Sequence, residues 1–292
     1  MLRFDKYYQP KSIEECIEIL NRYGKDAKLL AGGTDVVPRL KSGSYRPTAV
    51  IGLMDIPGLN RIELTEQGLD LGASANLMDI SLDSDLTEDF LVVKEAAGHV
   101  SSQQVRNMAT IGGNACNASP SADAIHGLLL NDAVVNIEGK KGRRQVPICE
   151  FFIGPGKTVL EDNEMVVSFH MDKPEKHTGC SYKKFAIRGD SDISIVGAGA
   201  RITLDEDGVI KDARVTLASV APIPLRCRKA EKILIGEKPS KELFVKVANE
   251  CADNEATPIS DPRATKEYRI RMVRVWVVHA LDEAFERALR KN

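Results

Sequence analysis

The sequence carries little net charge of either sign. Lys and Arg number 40 and Asp and Glu 42, a formal charge of −2, so no electrostatic argument draws the chain to nucleic acid or to an anionic membrane. No apolar run reaches the length of a membrane span. The start, Met1-Leu2-Arg3-Phe4-Asp5, has no apolar signal region, and the expected location is cytoplasmic. Cysteine is scattered: Cys16, Cys116, Cys149, Cys180, Cys227 and Cys251 form no C-x-x-C pair. That scatter argues against a local zinc or iron–sulfur site and suits small apolar side chains in a reducing compartment. The nucleotide fingerprints G-x-G-x-x-G and G-x-x-x-x-G-K-[ST] are missing. So is the nucleophile elbow G-x-S-x-G, and Ser119, Ser121 and Asp123, crowded into one loop, are not read as a hydrolase triad.

What is present suits a soluble protein of two or three packed lobes: 292 residues, 43% hydrophobic and 28% charged. Two stretches stand out. Leu29-Leu30-Ala31-Gly32-Gly33-Thr34-Asp35-Val36 and Thr110-Ile111-Gly112-Gly113-Asn114 each join an apolar run to two glycines and a short polar residue. Glycines let a chain turn at positive φ and present successive N–H groups, which is how a backbone cups phosphate. Each stretch alone is more often a tight turn between core elements than a binding site. Together they point to phosphate-binding capacity without naming the ligand.

Periodicity places the elements around them. Ser12 to Gly24 reads as a helix with a Ser12/Glu15 capping box, and Ala27–Ala31 and Ala49–Leu53 as strands of a βαβ-like unit. Gln67-Gly68 marks a hairpin. Phe90–Val100 and Ala122–Leu130 read as helices, with Asp123 as a charge near a helix start. Lys140 to Arg144 is a basic hairpin tip, and Lys173 to Gly179 a linker. Beyond it come an antiparallel sheet, with turns at Gly189-Asp190 and Glu206-Asp207-Gly208, and two helices. The long helix Thr265–Arg290 has Ile270, Val273, Val277, Leu281, Ala284 and Ala288 on one side and its five arginines expected in solvent. The expected fold is α+β, divided at 1–55, 56–176 and 177–292.

AGGTD after an apolar strand, then TIGGN running into Ala118-Ser119-Pro120-Ser121 and Asp123, resembles the FAD-binding medium subunit of the molybdenum hydroxylases. That family includes xanthine, carbon monoxide and nicotinate dehydrogenases. The resemblance spans essentially the whole chain. It continues through Gly154-Pro155-Gly156-Lys157, Tyr182 to Arg188 with Asp192-Ile193, and Arg263 to Arg269, and these later segments look nearest to the bacterial xanthine dehydrogenase type.

The resemblance implies a two-lobed FAD-binding domain of the CO-dehydrogenase flavoprotein (PCMH) type and a C-terminal domain of a small antiparallel sheet with helices. FAD is expected to be held noncovalently, since no histidine lies in either glycine stretch. Lys28, Leu29, Leu30, Ala31, Gly32, Gly33, Thr34, Asp35 and Val36 are implied at the pyrophosphate, with N–H groups of residues 31–34 as donors. Thr110, Ile111, Gly112, Gly113, Asn114 and Ser119 are implied at the ribityl and phosphate region. Asp123 is implied as acceptor for a sugar hydroxyl. Lys184, in the Tyr182/Lys184/Arg188 pattern, is implied beside the flavin ring, where a cation raises its potential. Val166 and Leu160 suit a ring or adenine pocket, or equally a plain core, and Val100 and Ser101 have weaker motif support. The loop with Arg188, Asp190 and Asp192 is expected near the ring, where it bears on the approach of NAD. No residue is implied as catalytic and none as a metal ligand.

The implied activity is electron transfer, with rival readings inside and outside the family. Molybdopterin and 2Fe–2S clusters are expected on a large and a small partner subunit, NAD+ as acceptor, and purine as substrate. A FAD subunit serving nicotinate, carbon monoxide or an aromatic thioester is the rival within the family. A non-catalytic nucleotide-binding assembly module is the rival outside it.

Overall fold

A computed structural model describes residues 4–189 and 191–290. The readings made for Met1 to Arg3 and for Asp190 lie outside the described residues. Among those residues no helix is long and apolar enough to cross a membrane.

The first part is a three-stranded parallel sheet. Strand β1 (Lys6–Tyr8) leads to helix α1 (Ile13–Tyr23), β2 (Ala27–Leu30), helix α2 (Val36–Ser42) and β3 (Ala49–Gly52), with β3 central in the order β1-β3-β2. Helix α1 starts because Ser12 Oγ accepts the Glu15 N–H at 3.2 Å, and it stops at Gly24, whose φ is +50°. Its face of Cys16, Ile17, Ile19 and Leu20 packs on the sheet. Strand β1 was not foreseen, because three half-solvated residues show no alternation.

The second part is a five-stranded antiparallel sheet with helices on one side. It comprises β4 (Ile62–Leu64), β5 (Gly68–Gly72), α3 (Leu77–Leu82), α4 (Leu91–Gly98), α5 (Gln103–Arg106), α6 (Ile111–Asn117), α7 (Ile125–Leu130), β6 (Val134–Gly139), β7 (Gly142–Pro147), the short pair β8 (Phe152–Gly154) and β9 (Lys157–Thr158), and β10 (Glu164–Asp172). The strand order is β4-β5-β10-β6-β7. Gln67-Gly68 and Lys140-Lys141 sit at hairpin tips as read. The helix expected from Ala122 begins only at Ile125, so Asp123 lies in the loop before it. Strand β10 shifts register between Val166 and Ser168, a bulge that bends the strand beside the cleft described below.

The third part is the antiparallel sheet β11 (Thr178–Phe185), β12 (Val196–Leu204), β13 (Ile210–Ala218) and β14 (Leu225–Arg226), followed by α8 (Arg228–Leu234), α9 (Lys241–Glu250), a π-helical turn at Cys251–Glu255 and α10 (Lys266–Arg290). The apolar side of α10 is buried as its spacing requires, with Val273, Val277, Leu281, Ala284 and Ala288 in the core. Its arginines are not all in solvent. Arg269 is 2% exposed and donates to the Ile195 carbonyl and to Asp261. Arg287 reaches Glu95 on α4 and the Cys180 carbonyl. A buried guanidinium needs acceptors; carbonyls and carboxylates supply them here, save at Arg269 Nε, which has none.

Candidate functional site

A cleft of about 530 Å³ runs between the first and second parts. Of the residues singled out in the sequence, Lys28, Leu29, Ala31 to Val36, Val100, Ser101, Thr110, Gly112 to Asn114 and Val166 line it. The two glycine stretches therefore converge, but in different ways.

The first is a turn between β2 and α2. Gly33 has φ +73°, a conformation costly to other residues. Gly32 is glycine for another reason: a Cβ there would lie 1.7 Å from the Met108 carbonyl oxygen. The second part of the molecule thus presses its backbone directly against the turn. Among the described residues, the N–H groups of Gly32, Gly33 and Thr34 meet no acceptor. Three successive free donors on a cleft wall form an anion-binding concavity.

The second stretch is not a turn. Thr110 caps α6, with its Oγ1 accepting the Gly113 N–H at 3.1 Å, and Gly112 and Gly113 lie within the first turn of that helix. Its N–H groups are already used: Ile111 bonds Ala75, Gly112 bonds Ala73 and Asn114 bonds Thr110. The amide cradle expected from both stretches is therefore supplied by one. The second contributes a smooth surface and the Asn114 side chain, whose buried Oδ1 has no partner. An orphaned buried acceptor is costly unless a ligand satisfies it. A helix was hidden here because Gly-Gly is a poor helix sequence, and Thr110 in the capping position was the available signal.

Leu30, Ile111, Ser119, Leu160, Asp123 and Lys184 do not line the cleft. Leu30 sits under the turn, with its side chain beside Gly33. Ile111 and Leu160 belong to the core of the second part. Ser119 Oγ accepts the Ser121 N–H. Asp123 and Lys184 lie behind the cleft wall. Lys184 Nζ is 3.0 Å from Asp123 Oδ2 and donates to the His99 carbonyl at 2.8 Å, while Tyr182 Oη and Ser194 Oγ donate to Asp123 Oδ1 at 2.7 and 2.5 Å. Three donors already occupy the carboxylate expected to hold a sugar hydroxyl. Burial pushes the Tyr182 hydroxyl well above its ordinary range, and Asp123 adds to the shift. The His126 ring stacks on Tyr182 with centroids 5.1 Å apart, and neither of its nitrogens has a partner. Burial lowers its pKa to about 3, so it is neutral.

Sequence reasoning missed Arg39, Tyr45 and Asn117 at one end of the cleft. Arg39 donates to the Tyr45 hydroxyl and to Asn117 Oδ1, bridging α2 and α6. Its guanidinium and the Lys28 ammonium lie 5.1 and 5.2 Å from the centre of the Tyr45 ring. Reading the second stretch as a helix would have brought in Asn117, one turn beyond Asn114. The fold also gathers cysteines that are far apart in sequence: Cys227, Cys251 and Glu255 come within 4.8 Å of one another. There, however, Glu255 accepts the N–H groups of Lys229 and Ala230, and burial holds the Cys227 thiol protonated.

A long polar-and-apolar cleft with free amides, two cations and an orphaned amide oxygen fits a dinucleotide bearing an extended flat ring. Known proteins agree with that chemistry. Residues 2–173 match the FAD binding domain in molybdopterin dehydrogenase, and residues 180–284 the CO dehydrogenase flavoprotein C-terminal domain. The xanthine dehydrogenase FAD-binding subunit of Escherichia coli O157:H7 is 33% identical over 286 residues, covering 97% of each chain. The nicotinate dehydrogenase FAD-subunit of Eubacterium barkeri is 30% identical over 236 residues, covering 79% of each. A solved structure of carbon monoxide dehydrogenase from Hydrogenophaga pseudoflava, lacking the Mo-pyranopterin moiety of its molybdenum cofactor, superposes with a TM-score of 0.93 at 31% identity, over 98% of this chain and 99% of that one.

Proposed function

The chain belongs to the FAD-binding subunit family of the molybdopterin-dependent dehydrogenases, and on that premise we propose that it is the electron-transfer subunit of a multi-subunit molybdenum hydroxylase. The observation that carries the reading is the run of unpaired N–H groups at Gly32, Gly33 and Thr34 on the wall of the cleft. Those amides receive the pyrophosphate, with Lys28 and Arg39 supplying countercharge at the same end. Asn114 Oδ1 accepts from a hydroxyl of the ribityl chain. Val100, Val105, Ala109 and Val166 provide apolar walls that keep water from the cofactor.

FAD supplies a store that fills with single electrons and empties in pairs, which suits it to stand between 2Fe–2S clusters and NAD+. In this reading a small subunit holds the clusters, and a large subunit holds molybdopterin and selects the substrate. Resemblance to the xanthine dehydrogenase subunit favours a purine such as xanthine or hypoxanthine, with NAD+ as acceptor. The free cysteines suit a cytoplasmic complex.

Titration of the purified chain with FAD, followed by flavin absorbance, tests the binding step. Uptake of one equivalent supports it, and no uptake leaves only a non-catalytic assembly module. Purification with the two partner subunits tests the rest. Reduction of NAD+ with xanthine is the expected result, whereas oxidation of nicotinate or carbon monoxide would reassign the substrate.

A further inference from the structure

The carbonyls just beyond the end of α4 need partners that the helix cannot provide. Two cations take three of them in succession. Lys184 Nζ takes the His99 carbonyl at 2.8 Å, and a single nitrogen of Arg106, Nη1, takes Val100 at 3.1 Å and Ser101 at 2.8 Å. Ser101 has φ +48°, the left-handed conformation that a serine adopts only when its surroundings hold it there. Val100 and Ser101 both line the cleft. Among the described residues Arg106 pairs with no carboxylate, and its Nε is buried without a partner. Its side-chain hydrogen bonds both go to those carbonyls, of which that of Ser101 also accepts the Ser191 N–H at 3.4 Å, and charge-assisted bonds of this kind are the strong ones.

Building on the cofactor reading above, we propose that Arg106 is the positioning residue for this wall of the FAD cleft. It does not touch the ligand. It holds the Val100–Ser101 turn in the strained shape that lets both residues face the cofactor. Without it the turn relaxes to an extended conformation and the wall withdraws.

The test is the affinity of the full chain for FAD, read by quenching of flavin fluorescence, in wild type, Arg106→Gln, Arg106→Lys, Ser101→Gly and the Ser101→Gly/Arg106→Gln double variant. Arg106→Gln should bind about tenfold more weakly, the size of effect expected when charge-assisted bonds are lost. Arg106→Lys should stay within about threefold of wild type, because one nitrogen makes both bonds. The double variant should regain near wild-type affinity, because glycine takes the left-handed turn without steric cost. A merely structural role for Arg106 predicts no such rescue. Wild-type affinity in Arg106→Gln, or a double variant as weak as Arg106→Gln alone, would overturn the proposal. Should Arg106→Gln fail to fold, the double variant decides: a folded double variant with FAD affinity near wild type supports the proposal, and one that binds about tenfold or more weakly overturns it. A wild-type chain that takes up no FAD would overturn the cofactor reading and this proposal with it.

Discussion

Lys184 and Asp123 form an ion pair 3.0 Å long, with side chains 6% and 5% exposed, joining β11 of the C-terminal sheet to the loop before α7. The pair is buried on both sides of a junction, so each partner neutralises the other where water does not reach. Removing one leaves an uncompensated buried ion. Lys184→Ala should therefore destabilise the protein by about 3–5 kcal/mol in chemical denaturation. Pairing it with Asp123→Asn should recover part of that loss. A Lys184→Ala variant as stable as wild type would show that water already screens the pair. In the FAD-loaded protein the same change should also lower the flavin potential, and an unchanged potential would remove Lys184 from the tuning of the ring.

The two glycines of the first turn should respond differently to the same alanine. Gly33→Ala meets only side-chain atoms at 3.1 and 3.3 Å and pays mainly for its φ of +73°, a loss of about 1 kcal/mol. Gly32→Ala drives a methyl into the Met108 carbonyl, which belongs to backbone and cannot step aside. It should separate the two walls and abolish FAD retention. Equilibrium dialysis against FAD, with melting curves for both variants, distinguishes the two costs.

His126 should shape the acid side of the stability curve. Its folded pKa is lowered to about 3 from an ordinary 6.5, by burial. The unfolded chain therefore binds a proton there first as pH falls. Stability from this site is fully present above about 6.5 and is lost toward about 3, at a slope of about 1.4 kcal/mol per pH unit. Neither ring nitrogen has a partner to lose. His126→Phe, which keeps an aromatic ring against Tyr182, should flatten the curve in that window. An unaltered slope would assign acid unfolding to other groups.

Lys28 and Arg39 form no ion pair with a carboxylate among the described residues, and both stand at the Tyr45 end of the cleft. Binding of a pyrophosphate there should weaken as salt rises. Arg39→Met should lower FAD affinity by about tenfold at low salt, less at high salt, because it removes one charge-assisted contact. Equal salt dependence in wild type and variant would separate Arg39 from the phosphates.

Much of this architecture was legible in residue order. The capping box at Ser12, the hairpin signals, the apolar stripe of α10 and the first glycine turn each rest on local chemistry that a short window contains. What was not legible depended on contacts between distant segments. Nothing around Gly32 says that Met108 lies against it. Asp123 reads as a helix-start charge until Tyr182, Lys184 and Ser194 are brought to it from beyond residue 180. Arg269 reads as a solvent-facing helix residue until the ends of β12 and β13 offer it carbonyls. Thr110 was a local signal, masked by the glycines that follow it.

Arg287, near the end of α10, reaches back to Glu95 on α4, and Lys184 on β11 secures the carbonyl that follows that helix. The wall bearing Ser101 is thus braced by segments of the third part of the fold. The first and second parts alone lack those braces, so the shape of the cleft depends on a sheet and a helix that do not line it.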